Sequence, residues 1–138
     1  MKKKYTLYRQ GSFIFANFAG EKHKTEKSME AENFRQQLRK TCMEFIVLQT
    51  IKQQRRYAPD IIAELRKANL IVVEGTLYPM LTRLKNNGIL SYEWEESTQG
   101  PPRKYYSLTP LGMEYADALD REWKNINSII RSLNKNTK

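Results

Sequence analysis

The chain has 138 residues, enough for one ordinary domain with a modest core and some spare length. Its 24 Lys and Arg against 15 Asp and Glu give a formal charge of +9, which suits a polyanionic partner such as nucleic acid or an anionic surface. The single cysteine, Cys42, excludes an internal disulfide and a cysteine-based zinc site, and it fits a reducing cytoplasm. No apolar run approaches the ~20 residues of a membrane-spanning helix, so we expect no membrane partner.

The first 28 residues differ from the rest in charge. They hold seven basic and two acidic side chains, so more than half of the excess positive charge lies there. Polar residues interrupt their short aromatic patch, which argues against a secretory signal. We therefore expect residues 1–28 to be a basic extension that is disordered, or that comes from a misassigned start with Met29 beginning the natural chain.

A regular apolar pattern begins after Met29. In "AENFRQQLRKTCMEFIVLQTIKQ" apolar side chains recur at three- and four-residue steps, which predicts an amphipathic helix. The second half, "FIVLQTI", is apolar widely enough to be central core. The predicted inward stripe is Phe34, Leu38, Cys42, Phe45, Leu48 and Ile51.

A second helix is predicted for "PDIIAELRKA". Pro59 suits a first helical turn, and basic residues near the end oppose the helix dipole favourably. The helix should end near Asn69. Its predicted inward residues are Ile61, Ile62 and Leu65.

The stretch "EGTLYPMLTRLKNNG" predicts a third helix of about three turns. It should start at Gly75 or Thr76, which places Pro79 in the first turn, and Gly88 should close it in a left-handed conformation. Two short helices joined by a tight connection are typical of a helix-turn-helix, although small helical bundles also contain such pairs as plain packing. The predicted inward stripe is Leu77, Met80, Leu81 and Leu84, and the predicted outward residues are Thr76, Tyr78, Pro79, Thr82, Arg83 and Lys85.

A β-hairpin is predicted to follow. "ILSYEWEE" and "RKYYSLT" alternate as strands, and "STQGPP" between them is a turn. Three helices and a hairpin make a winged helix, in which one helix fills the major groove and the hairpin tip reaches the backbone or minor groove. Arg103 and Lys104 beside the tip favour DNA contact over a purely structural hairpin.

The last segment predicts a long helix. Thr109 caps it and Pro110 starts it, and apolar residues then step by four and three over three heptads. This seam favours pairing with a second copy, although a helix that packs on its own domain shows a similar stripe. The seam is Gly112, Ala116, Leu119, Trp123, Ile126, Ile130 and Leu133, and we expect the dimer contact at Leu119, Trp123, Ile126, Ile130 and Leu133.

The motifs "EGTLYPMLTRLKNNGIL" and "GPPRKYYSLTPLG", at their mutual spacing, closely resemble the PadR family of bacterial transcriptional regulators. The resemblance covers roughly residues 35–135 and implies a winged-helix repressor that acts as a homodimer on a palindromic operator. It departs from the family pattern at "RRYAPD", where the second helix often opens with Gly-Tyr. The resemblance assigns Thr76, Tyr78 and Pro79 to the recognition helix, and Arg103, Lys104 and Tyr105 to the wing.

The final helix, "REWKNINSIIRSL", also resembles that of short, multidrug-sensing PadR members. Their tryptophan at the position of Trp123 lines a pore at the dimer interface and stacks on flat apolar ligands. The resemblance implies a repressor that responds to a small aromatic effector. The alternative is that Trp123 only fills the interface.

The sequence therefore predicts a mainly α fold with a small β-hairpin, namely a winged helix-turn-helix over residues 29–108 and a C-terminal dimerisation helix over residues 109–138. The proposed DNA contacts include the outward cations Arg83 and Lys85. We expect no enzyme, cofactor or metal site, because the domain has no histidine, no Ser-His-Asp or Cys-His set and no glycine-rich phosphate loop. The alternative function is a winged-helix adaptor that binds protein without specific DNA binding.

Overall fold

The computed structural model describes the backbone of residues 2–135 and the side chains of residues 27–135. The chain divides into two units, Met1–Cys42 and Met43–Lys138. Within the described residues, none of the helices combines the length and apolar character that crossing a membrane requires. The elements in chain order are α1 (Lys2–Gln53), β1 (Arg56–Tyr57), α2 (Ala58–Lys67), α3 (Glu74–Asn86), β2 (Leu90–Glu95), β3 (Arg103–Leu108) and α4 (Pro110–Lys135).

The first unit consists of the N-terminal part of α1. The helical backbone begins at Lys2, where we had expected an extension without regular structure. A natural start at Met29 stays a prediction. Phe34 and Leu38, which we expected to point inward, are 67% and 43% exposed, whereas the buried core residues of α1 among the described side chains, Val47, Leu48 and Ile51, lie further along the helix.

The core of the second unit forms where α1, α2 and α3 meet the sheet. Each helix contributes an apolar stripe of the predicted period, and burying one such side chain stabilises the fold by about 2 kcal/mol. The predicted inward residues of α2 and α3 are confirmed at Ile61, Leu65, Leu77, Leu81 and Leu84, which are at most 4% exposed. From α1 the core takes Val47, Leu48 and Ile51.

Left-handed residues close both short helices. Asn69 has φ 59°, and the amide of Leu70 donates to the carbonyl of Leu65 at 2.9 Å. Gly88 has φ 74°, as its position after α3 predicts, and the amide of Ile89 donates to the carbonyl of Leu84 at 2.9 Å. These bonds satisfy carbonyls at the two helix ends and turn the chain sharply at each.

The start of α3 differs slightly from the prediction. The helix begins at Glu74, and Pro79 therefore lies in its second turn instead of its first. Proline has no N–H to donate to the carbonyl four residues earlier, that of Gly75. The sequence did not reveal the earlier start of α3, because a sequence pattern locates helix ends only to within one or two residues.

The three strands form an antiparallel sheet in the order β1-β3-β2. Tyr92 pairs with Tyr106 and Trp94 with Lys104, so the predicted alternation of the hairpin is confirmed. The two-residue strand β1, which pairs with β3 through Arg56, was not predicted. The result is a winged helix with a long C-terminal helix, the predicted fold class.

The start of α4 is fixed against the end of α3 by Thr109. Its hydroxyl oxygen accepts a hydrogen bond from the amide of Gly112 at 2.9 Å, as predicted for a capping residue. The same hydroxyl donates a hydrogen bond to the carbonyl of Gly88 at 2.5 Å. The backbone of Gly112 lies so close to Ile89 that a Cβ built there would be 2.0 Å from the Ile89 carbonyl oxygen. Only glycine fits this contact.

We expect Gly112→Ala to destabilise the fold by about 3 kcal/mol, because the added methyl group meets backbone that cannot yield without moving α4. Denaturant unfolding of the two proteins measures this difference. Gly75→Ala is the matched control, since a Cβ there meets nothing within 4 Å; alanine should leave stability unchanged or raise it by about 1 kcal/mol. Equal losses for both variants would contradict the contact.

Candidate nucleic-acid interface

The outer face of α3 is polar and exposed, as predicted. The buried leucine stripe fixes the rotation of the helix, so the residues between those leucines point away from the core. Thr76 and Lys85 are exposed on this surface. An open depression on the same helix is lined by Tyr78, Pro79, Thr82, Arg83, Asn86 and Asn87.

Tyr78 links this face to the sheet. Its side chain is 40% exposed, and partial burial followed by the charge of Glu74 raises the pKa of its hydroxyl above the ordinary value. Tyr57 and Tyr106 lie close enough to contribute to the same shift. The phenol therefore stays protonated at neutral pH and can both donate and accept a hydrogen bond.

Two predicted cations approach one aromatic ring from different elements. Lys104 Nζ lies 3.8 Å from the ring centroid of Tyr92, and Lys85 Nζ lies 5.8 Å from the same centroid. The rings of Trp94 and Tyr106 are within 6 Å of Lys104 as well. We call Tyr92, Trp94, Tyr106, Lys85 and Lys104 the aromatic–lysine cluster; it brings α3 and the hairpin together.

The other predicted wing residues lie on the opposite face of the hairpin. The Arg103 guanidinium is 5.4 Å from the ring centroid of Tyr57, and the rings of Tyr57 and Tyr105 are 5.9 Å apart. The structure thus places the predicted wing contacts on two faces, with Lys104 toward α3 and Arg103 and Tyr105 away from it.

Arg55 stabilises this second face, and sequence reasoning missed it. Its guanidinium lies 4.8 Å from the ring centroid of Tyr105 and pairs with the carboxylates of Glu95 at 2.5 Å and Glu93 at 3.9 Å. The pair reduces the negative charge of the wing next to Arg103. The signal that could have revealed it is the Arg-Arg pair directly before Tyr57.

A second missed residue is Glu44 of α1. Its carboxylate accepts hydrogen bonds from Arg83 of α3 and, at 2.7 Å, from the hydroxyl of Tyr115 of α4. These bonds raise the pKa values of the Arg83 guanidinium and the Tyr115 hydroxyl, with the hydrogen bond to Glu44 as the largest cause for each. Arg83 is therefore held in place and is not a free surface cation. The signal was a lone carboxylate in the apolar run "CMEFIVL".

The distal part of α4 carries an exposed apolar face. Gly112 and Ala116 are buried, and Leu119 is half-buried against the core. Beyond Leu119 the predicted seam is uncovered in the single chain, and Trp123 is 44% exposed. The exposed apolar residues are Trp123, Ile126, Ile129, Ile130 and Leu133.

Metal ligands are not clustered among the described side chains. Within residues 27–135, no group of three or more His, Cys, Asp and Glu side chains could hold a metal ion. The half-buried Cys42 is a free thiol. The expected lack of a cofactor and of catalytic residues stays a prediction.

The three helices and the hairpin form a winged helix, and the family match identifies the chain as a transcriptional regulator of this fold. Residues 47–118 match the family described as "Transcriptional regulator PadR-like family". The chain belongs to this PadR-like family.

Known structures and sequences place similar proteins in several bacteria. A PadR-like transcription factor from Bacteroides fragilis is 50% identical, with a TM-score of 0.63 over 73% of this chain and 98% of that one. A PadR-like transcriptional regulator from Bacillus cereus is 28% identical, with a TM-score of 0.64 over 70% of this chain and 95% of that one. An uncharacterised protein from Lysinibacillus sphaericus is 30% identical over 91 residues, covering 64% of this chain and 84% of that protein.

The hydrogen bond between Tyr115 and Glu44 should stabilise the fold at neutral pH and lose this effect at alkaline pH. Because the folded pKa of Tyr115 is raised, the contribution of its hydroxyl is complete below the ordinary pKa of about 10 and is lost as pH rises through the folded value. We expect Tyr115→Phe to lower the free energy of unfolding by about 1 kcal/mol at pH 7–9, and by less above pH ~10. Thermal unfolding across this range measures the difference. Tyr92→Phe, which removes a hydroxyl outside this network, is the control. If Tyr115→Phe lost the same stability at every pH, the hydrogen bond would not be the source of the effect.

Proposed function

We propose that this chain is a homodimeric repressor that binds a palindromic operator in double-stranded DNA. In this proposal α3 enters the major groove, while the β2–β3 hairpin reaches the backbone or the adjacent minor groove. Family membership supports the regulatory role. The proposed DNA contacts are Thr76, Tyr78, Pro79, Arg83, Lys85, Arg103, Lys104 and Tyr105.

The observation that carries this proposal is the aromatic–lysine cluster. Lys85 of α3 and Lys104 of β3 converge on Tyr92, so the helix and the hairpin present positive charge on one surface. An aromatic ring holds an ammonium group in place and leaves its positive charge uncancelled. A carboxylate in the same place would neutralise that charge. The charge therefore remains available to DNA phosphates, whose contacts fix the register of a protein on the duplex.

Dimerisation is proposed from the exposed face of α4. Five large apolar side chains in the last four turns are between 44% and 63% exposed. This exposure is costly unless a second copy covers them. A two-fold dimer would present two copies of α3, and this symmetry corresponds to a palindromic operator. The proposed contacts are Leu119, Trp123, Ile126, Ile130 and Leu133.

Three finer expectations belong to the same proposal. Trp123 lies on the exposed apolar face, where it and its symmetry mate could stack on a small aromatic effector. A regulator of bacterial genes acts in the cytoplasm, where the chromosome lies. DNA contact and effector response require no catalysis, so the proposed protein is not an enzyme.

The DNA proposal is tested by fluorescence anisotropy with a duplex from upstream of the protein's own gene and a shuffled duplex, at several salt concentrations. We expect the native duplex to bind about 10³-fold more tightly or better, with a steep salt dependence. Lys104→Gln should weaken binding to both duplexes and reduce the salt slope by about one, because one phosphate contact is lost. Lys124→Gln, which removes an α4 lysine paired with Asp120, should change neither value. Weak and equal binding of both duplexes would instead favour the adaptor.

The dimer proposal is tested by sedimentation of Ile130→Glu. A carboxylate in the exposed apolar face would be desolvated on pairing, so we expect the variant to dissociate at concentrations where the wild type is dimeric. Ser128→Glu adds the same charge to an exposed position of α4 outside the predicted seam and should remain dimeric. A wild type that sediments as a monomer at ~100 times the concentration used for DNA binding would exclude the dimer.

A further inference from the structure

Glu44 holds the guanidinium of Arg83 beside the proposed reading surface. Its side chain is 20% exposed, whereas that of Arg83 is 54% exposed, so the pair joins a largely covered carboxylate to an accessible cation. Only Nη2 of Arg83 donates to Glu44. The remaining N–H groups of a guanidinium stay free for a second partner, since arginine carries five donors in a rigid fork.

In the DNA complex proposed above, that second partner would be a group on the duplex. Arg83 lines the depression on the outer face of α3 together with Thr82 and Asn86. A bidentate arginine contact to guanine is a common source of base discrimination, and it requires an oriented guanidinium. A mobile arginine contacts phosphate equally well, and such contacts carry no sequence information.

The carboxylate of Glu44 is itself fixed from a third helix. The hydroxyl of Tyr115 in α4 donates to Glu44 Oε1 at 2.7 Å, while Arg83 bonds the other oxygen, Oε2. An ion pair between Lys52 of α1 and Asp117 of α4, at 2.5 Å, holds the same two helices together. The bond to Glu44 is also the main cause of the raised pKa of the Arg83 guanidinium.

We propose that Glu44 is a positioning residue that sets sequence preference by holding Arg83 toward base edges and away from phosphates. This inference rests on the proposed DNA binding, and it adds a role for a side chain that does not touch DNA. Glu44 also offsets the charge of Arg83, so it lowers the affinity for DNA of any sequence while it raises the preference for the correct one.

The test compares Glu44→Gln with the wild type on the native and shuffled duplexes. We expect the preference for the native duplex to fall about tenfold, the loss of one oriented base contact. Binding to the shuffled duplex should become tighter, with a salt slope steeper by about one, because the released Arg83 reaches a phosphate. In an Arg83→Gln background, Glu44→Gln should have no further effect.

Glu74→Gln is the matched control. It removes the same negative charge from an exposed position at the start of α3, so it tests whether net charge alone explains the effect. If Glu44→Gln gave the same preference and salt slope as Glu74→Gln, the positioning role would be overturned. Should Glu44→Gln fail to fold, Arg83→Lys on the exposed surface replaces it, because lysine cannot bond Glu44 and a base edge together; an unchanged preference would then overturn the role.

The outcome also separates this inference from the proposed function. A wild type without preference for the native duplex would reject specific DNA binding, yet the salt slope on any duplex still measures whether Glu44 restrains Arg83. A wild type with strong preference and a Glu44→Gln variant indistinguishable from it would reject the inference alone.

Discussion

The angle between α3, the hairpin and α4 depends on one backbone contact, that of Gly112 against the carbonyl of Ile89. The same short segment ends α3 at the left-handed Gly88, begins β2 and receives the hydroxyl of Thr109. Three elements therefore share one rigid corner built mainly of backbone. Backbone contacts of this kind have few alternative arrangements, because no rotamer change can relieve them. The leucine stripe of α3 then fixes which residues face outward.

The positive charges near α3 and the wing are held in three different ways. Lys85 and Lys104 lie against aromatic rings, which leaves their charge uncancelled. Arg55 is paired with Glu95, so it stabilises the wing without adding to its field. The charge of Arg83 is only partly cancelled, because Glu44 pairs with one side of its guanidinium while the rest of the side chain remains accessible. The formal charge of the chain therefore overstates what a phosphate would meet on this surface.

The sequence revealed what depends on local rules. The period of α3, the left-handed Gly88 and the cap at Thr109 follow from a few neighbouring residues, and the structure has all three. The outward side of α3 followed from the same period. The wing residues taken from the family resemblance, Arg103, Lys104 and Tyr105, lie on two faces of the hairpin, and only the strand register shows which lies on which face.

What the sequence did not reveal depends on contacts between distant residues. The strand β1 has two residues, too few to show any period, and it exists because β3 offers it an edge. Glu44 lies 39 positions from Arg83 and 71 from Tyr115, so nothing local connects them. Phe34 and Leu38 had the right period but lie before the point where α1 enters the core, and periodicity alone cannot say what covers a face.

The length of α4 makes it a lever. Its anchored part ends near Leu119, and the remaining residues to Lys135 extend about 24 Å beyond it. Measured from the Gly112 corner the arm is about 34 Å long, so a rotation of about 6° there would displace the far end by about 3.6 Å, close to the rise of one base pair. In a dimer joined through that far end, the same rotation would change the separation of the two copies of α3 by a similar step. The stiffness of a single glycine contact would then decide how accurately the protein measures the distance between two half-sites.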